Sequence, residues 1–242
     1  MGARDTHAPH QLSGQEPVQA RSNGDCQCFS RGGKWSGCAE ALTTAKSPKG
    51  DPRSEYTSGH GHSVALQNGP LWTPGHSGQA LEFNGVNQWA DTNASILDTT
   101  TDYSVAAWVR LDQLGRFATA VSQDRSDGVS EFFLQYSAQD NRFAFSTPTV
   151  RAVGPIPQTG VWYHLVGEYD SVHSQIRLYV NGQAAGTAPY CPGRAAAGHT
   201  VLGRALYNKA QVDFWHGSLD SVHVYDRALS PAEIDQLYRS DT

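Results

Sequence analysis

After residue 60 apolar and polar residues alternate with period two, the pattern of strands that show one face to a core and one to water. Gln175 to Gln183 carries it most cleanly. Ile176, Leu178 and Val180 share one face, Arg177 and Tyr179 the other, and Asn181-Gly182 supplies the left-handed positions of a type I′ hairpin turn. Glu131 to Tyr136 and Arg142 to Ser146 read as a second hairpin around Asp140-Asn141, and Ala80 to Asn84 as a short strand closed by an Asn84-Gly85 turn. Asp102 to Leu111 departs from simple alternation: Val105, Ala107, Val109 and Leu111 lie on one side, Ala106 and Trp108 on the other. Both faces are therefore expected to be covered, as in the middle of a layered sheet. Val161 to Asp170, Thr200 to Gly203 and Ser218 to Tyr225 complete the predicted strands. In the last, Leu219, Ser221, His223 and Tyr225 are expected on one face and Asp220, Val222 and Val224 on the other. One helix is signalled. Ser230-Pro231-Ala232-Glu233 is a capping box with proline at the first helical position, Leu229 and Ile234 form a staple, and Ile234, Leu237 and Tyr238 make one apolar stripe. Many short strands and one short C-terminal helix predict an all-β, two-sheet antiparallel sandwich.

Residues 1–57 lack that periodicity. They are rich in Gly, Ser, Gln and Pro, and read as a tail or linker ahead of a folded domain over 58–242. Met1-Gly2-Ala3-Arg4-Asp5 leads into no apolar run of the kind a secretory signal needs, so the chain reads as a fragment or as a reading frame whose start is misplaced. Cys26, Cys28, Cys38 and Cys191 suit disulfides in an oxidising compartment, and adjacent Cys26 and Cys28 are poorly placed to bridge each other. The net charge of −5 argues against a phosphate-tracking nucleic-acid binder. The longest unbroken apolar run, Val105 to Val109, is too short for a membrane-spanning helix, so no membrane insertion is expected.

Several blocks, in order, give the chain a family look. They are Gly75-His76-Ser77-Gly78-Gln79-Ala80-Leu81-Glu82-Phe83-Asn84-Gly85, Tyr103-Ser104-Val105-Ala106-Ala107-Trp108-Val109, Gly160-Val161-Trp162-Tyr163-His164-Leu165-Val166, Leu178-Tyr179-Val180-Asn181-Gly182, Val201-Leu202-Gly203-Arg204, Gly217-Ser218-Leu219-Asp220 and Val224 to Ile234. Over about residues 58–239 the chain resembles the laminin G–like domains of the concanavalin A-like lectin/glucanase superfamily, of the kind common in secreted bacterial proteins. The resemblance implies a jelly roll and an extracellular or cell-surface binding module. It departs from the family in two places: residues 40–57 offer no convincing first strand, and Ser221 follows Asp220 where a second acid is common.

The resemblance also implies candidate chemistry. Family domains often hold a structural calcium, an ion that needs an oxygen-rich shell. Asp220 matches the acid kept in the final strand, and Asn84 sits where a strand-end acid is common, so these two are the expected Ca²⁺ ligands, with the Asp124–Asp127 loop a second option. Sugar recognition uses exposed rings beside polar groups. Trp215, flanked by Asp213 and His216, is the leading expectation, with Tyr207 and Trp89 as further platforms. Superfamily glucanases place alternating acids on one strand. Here Glu168 and Asp170 begin such a pattern, but Val172 or His173 stands where the third acid belongs. His164 reads as a hydrogen-bonded structural histidine, and His60-Gly61-His62 as a surface turn. The expectation is a non-catalytic module that binds carbohydrate or an extracellular protein surface, with a spacer domain and a glycoside-acting enzyme as alternatives.

Overall fold

The computed structural model describes residues 39–43, 56–58 and 63–240. Two antiparallel sheets of seven strands face each other. The front sheet runs β14 (Gln183–Pro189), β13 (Gln175–Val180), β12 (Trp162–Asp170), β7 (Tyr103–Leu111), β18 (His216–Tyr225), β5 (Gln79–Asn84) and β4 (Leu71–Pro74). The back sheet runs β11 (Arg151–Val153), β10 (Arg142–Ser146), β9 (Ser130–Ser137), β8 (Ala118–Asp124), β15 (Thr200–Leu202), β6 (Trp89–Asp91) and β3 (Ser63–Gln67). β1 (Ala39–Thr43) and β2 (Tyr56–Ser58) connect them, and β16 (Ala205–Tyr207) with β17 (Ala210–Val212) forms a separate hairpin. β1 corrects the sequence reading: Ala39 pairs with Tyr225 and Leu42 with Val222, so strand pairing begins ahead of residue 58. The rest of 1–57, including Cys26, Cys28 and Cys38, lies outside the described residues, as does His60-Gly61-His62.

Side chains from both inner faces fill the space between the sheets. Phe83, Tyr103, Phe132, Phe143, Phe145, Leu165 and Tyr169 are all buried there, and each large apolar side chain contributes about 2–3 kcal/mol. β7 is covered on both sides, as its pattern predicts. Val105, Ala107, Val109 and Leu111 face this core, while Ala106 packs outward with Val166, Tyr179, Leu229 and Ile234. The helix α1 (Pro231–Ser240) supplies that cover. Its capping box is formed as expected, Ser230 N donating to Glu233 Oε2 at 2.8 Å and Glu233 N to Ser230 Oγ at 3.3 Å.

The hairpin turn at Asn181-Gly182 has both residues at positive φ, 50° and 77°, as the type I′ reading requires. The last strand differs from expectation. Its register slips between Asp220 and His223, and Ser221 sits at a φ of 46°. This bulge shifts the alternation by one residue, so Leu219, Val222 and Val224 all reach the core.

Candidate functional site

The segment that follows β15 builds the site. Gly203 N donates to Ala120 O and Thr119 N to Asp213 O, which lays residues 203–213 across the outer face of the back sheet. Asn208 and Lys209 occupy the two-residue turn of the β16–β17 hairpin, both at positive φ. Lys209 N donates to Gly128 O at 2.8 Å and pins the tip of the hairpin. Leu206 N donates to Ser130 Oγ, so the hairpin is held at its base as well. Tyr207 projects from this frame with 49% of its surface exposed.

Two grooves flank the hairpin. One, of about 360 Å³, is floored by Phe133, Gln135 and Ser146 and walled by Phe117, Arg151, Tyr207 and Asp213 among others. Gln135 Nε2 donates to Ser146 Oγ at 2.9 Å, so the floor is ordered. The other, of about 560 Å³, is bounded by Gly85, Val86, Arg116, Phe117, Asp213 and Phe214 among others. Phe117 and Asp213 belong to both grooves and make the wall between them. Burial pushes the Asp213 carboxyl up to about 6. A half-buried carboxyl shifted by desolvation on the wall of a cleft is a candidate functional group.

Of the residues expected to bind ligand, Asp213 and Tyr207 meet in this site. His216 stands at its edge, with Nδ1 at 2.9 Å from Gln113 Oε1 and 3.5 Å from Arg116 Nη2. Trp215 is corrected. It is fully buried in the core between the sheets, with its indole N–H donated to Arg110 O at 3.3 Å, and no ligand can stack on it. Trp89 lies apart from the grooves, half-buried on β6, and its ring is capped by the Arg204 guanidinium at 4.3 Å. Phe117, Phe133, Gln135 and Arg151 were not singled out as a group. Phe133 and Gln135 alternate on β9, and the pairing of β8, β9, β10 and β11 brings Phe117 and Arg151 beside them.

The expected calcium pair does not form one shell. In the β5–β18 ladder Asn84 opposes His216, four positions from Asp220, or about 13 Å along the strand. Metal–oxygen bonds of about 2.4 Å cannot span that separation. Asn84 Oδ1 is occupied by the amides of Val86, Asn87 and Gln88. Asp220 is fully buried, accepts Ser77 N at 2.9 Å, and fastens the Gly75–Gly78 turn onto β18. The second option is occupied too: Arg204 pairs with Asp124, and Arg125 and Arg194 pair with Asp127.

Glu168 and Asp170 lie on the outer face of the front sheet, across the sandwich from the grooves, and both carboxylates bind Arg177. Glu168 is fully buried, and burial outweighs Arg177 to push it up to about 7. Burial works against Asp170, yet hydrogen bonds from His173 and the charge of Arg177 hold it below the usual carboxylate range. His164 is structural but not hydrogen-bonded. Neither ring nitrogen has a partner, and burial, reinforced by His223 and His76, pulls it down to about 3.

Comparison with known proteins agrees with this architecture. Among curated protein sequences none matches the chain. Domain 4 of AbnA, a GH43 extracellular arabinanase from Geobacillus stearothermophilus, solved in complex with arabinotriose, is similar in structure. The TM-score is 0.61 at 19% identity, covering 82% of this chain and 99% of that one. The binding domain of Paraclostridial Mosquitocidal Protein 1 gives 0.63 at 14%, covering 83% and 52%. Trypanosoma rangeli sialidase in complex with the inhibitor DANA gives 0.60 at 15% over 82% of this chain, which spans 32% of the sialidase. At these identities the likeness is one of fold. The Laminin_G_3 family model matches residues 84–235, so the chain belongs to this laminin G–like family of the concanavalin A-like lectin/glucanases superfamily.

Proposed function

We propose that this domain is a non-catalytic carbohydrate-binding module of a secreted protein, and that it holds an oligosaccharide across the grooves beside Tyr207. The observation that carries the reading is the pairing of the exposed Tyr207 ring, held by a hairpin pinned at base and tip, with the Asp213 carboxyl on the wall of both grooves. Sugar rings stack their C–H faces on such rings, while carboxyl, amide and guanidinium groups bind the hydroxyls. Gln135, Ser146 and Arg151 supply that second kind of contact. Catalysis on a glycoside needs two carboxyls flanking the bond, about 5–10 Å apart. Among the residues lining the two grooves Asp213 is the single acid, which favours binding over hydrolysis. The arabinanase domain solved with arabinotriose and described as extracellular supports both the ligand class and secretion.

The test is a glycan array followed by titration calorimetry on the best binder. Tyr207→Ala is expected to weaken binding at least about tenfold while leaving the melting temperature unchanged, because the ring is half exposed. Undiminished binding by that variant, or no glycan retained by wild type at millimolar concentration, would discard the reading in favour of a spacer domain.

A further inference from the structure

We infer that the grooves select carboxylated saccharides, with the Arg116 guanidinium as the carboxylate anchor and Asp213 as a gate that weakens binding when it ionises. This rests on the reading of the grooves as a saccharide site and names the class of sugar.

Arg116 is the starting point. Arg110, Arg125, Arg151, Arg177, Arg194, Arg204, Arg227 and Arg239 each pair with a carboxylate. Arg116 has no such partner among the described residues. Its guanidinium lies 3.5 Å from His216 Nδ1, and His216 is itself engaged by Gln113. Arg116 is exposed at the rim of the larger groove. Gly85 holds a φ of 68° against it, and a Cβ at that glycine would strike Arg116 Nη2 and His216 Cβ. The guanidinium lies beside this glycine, at the edge of the larger groove. A guanidinium without a carboxylate partner offers the planar two-point geometry that a ligand's carboxylate matches.

Asp213 stands next along the same wall, and burial moves it to about 6. Other charged or titratable groups around it are Arg116 from the 112–117 loop, Arg151 of β11, which is held by Asp140, and Tyr207 of β16. Below that pH the acid is neutral and can donate a hydrogen bond to the ligand. Above it, a second negative charge shares the groove with the ligand's carboxylate. Both effects weaken binding as pH rises. The ligand's own carboxylate stays ionised throughout, and His216 of β18, beside Arg116, is the other titratable group in reach, so the slope of Asp213 is read in a His216→Gln background.

Trigalacturonate and 3′-sialyllactose, each beside its neutral methyl ester, test the inference by calorimetry on either side of Asp213's titration, at about pH 5 and about pH 7.5. At least one acid is expected to bind about five- to tenfold more tightly than its ester, and more tightly at the lower pH. Arg116→Gln should erase the acid–ester difference, and Asp213→Asn should erase the pH dependence while binding survives. Which acid responds distinguishes a uronate from a sialate. Acid and ester binding equally, or binding that survives Arg116→Gln undiminished, overturns the inference. If neutral glycans still bind and Tyr207→Ala abolishes that binding, the saccharide reading stands without it. If Tyr207→Ala is also silent, both fall.

Discussion

His164 ties the fold to acid, and the effect can be worked out from its surroundings. Its ring is buried on the outer face of the front sheet, 5.4 Å from Trp108 and 6.1 Å from Tyr238 of the covering helix, with His76 stacked on Trp108 at 3.5 Å. Neither nitrogen finds a partner. The imidazole is held neutral in the folded chain down to about pH 3, against an ordinary value of 6.5. The unfolded chain therefore binds the proton first, and stability falls as pH drops below 6.5. Over the full range this costs about 4–5 kcal/mol, and by pH 5 about 2 kcal/mol. In a domain of this size 2 kcal/mol moves Tm by about 4–8 °C. Glu168 titrates in the opposite sense across part of the same window, because it is raised to about 7 and so loses stability as pH rises. The wild-type curve alone is therefore not diagnostic. His164→Phe keeps the aromatic contacts and removes the titration. Thermal or urea unfolding at pH 8 and pH 5 should show the variant's advantage growing by about 2 kcal/mol on going to acid. An advantage that stays constant with pH would mean that His164 is already solvated or paired, and the reasoning would fail.

Three further changes follow from the packing. Glu168→Gln should flatten the loss of stability between pH 4.5 and about 7, read from denaturant midpoints, since the buried carboxyl is what resists ionising there. Trp215→Ala should lower stability by about 3–5 kcal/mol through a core cavity; if it left Tm intact and removed glycan binding alone, the burial of that ring would be contradicted. Gly167→Ala drives a methyl into the Phe145 ring where β12 faces β10. It should cost about 1–3 kcal/mol by overpacking, a loss that the further substitution Phe145→Leu should partly restore.

The architecture was legible because its signals are local. Asn181-Gly182 can take the turn conformation it needs without outside help, and Ser230 with Glu233 closes its own cap. The double coverage of β7 was visible in the five consecutive residues Val105 to Val109, because a strand with apolar side chains on both faces has nowhere to be but between layers. What failed was parity. A single left-handed serine in β18 turns Leu219, Val222 and Val224 to the same side, and period-two reading has no means of registering an inserted residue. The first strand failed for a different reason: β1 gains its partner from β18 at the far end of the chain, and Ala39–Thr43 has no apolar alternation of its own.

The site was legible only in part, for the same physical reason. Trp215 and Asp213 are two residues apart, and although an indole favours the core, strict alternation would place both on one face. The split between core and groove is made where Trp215 N bonds Gly203 O and Thr119 N bonds Asp213 O, contacts set by how the segment lies on β8. Likewise Glu168 and Asp170 point to one side, as alternation requires, but that side belongs to the front sheet and its charge is taken by Arg177 from the adjacent strand. A binding face on a sandwich depends on which outer surface is left uncovered. Here α1 lies over part of the front sheet's outer face, and the β16–β17 hairpin edges, without closing, the outer face of the back sheet. The proposed recognition surface is therefore assembled from Arg116, Phe117, Gln135, Arg151, Tyr207 and Asp213, residues that the topology gathers from four stretches of the chain.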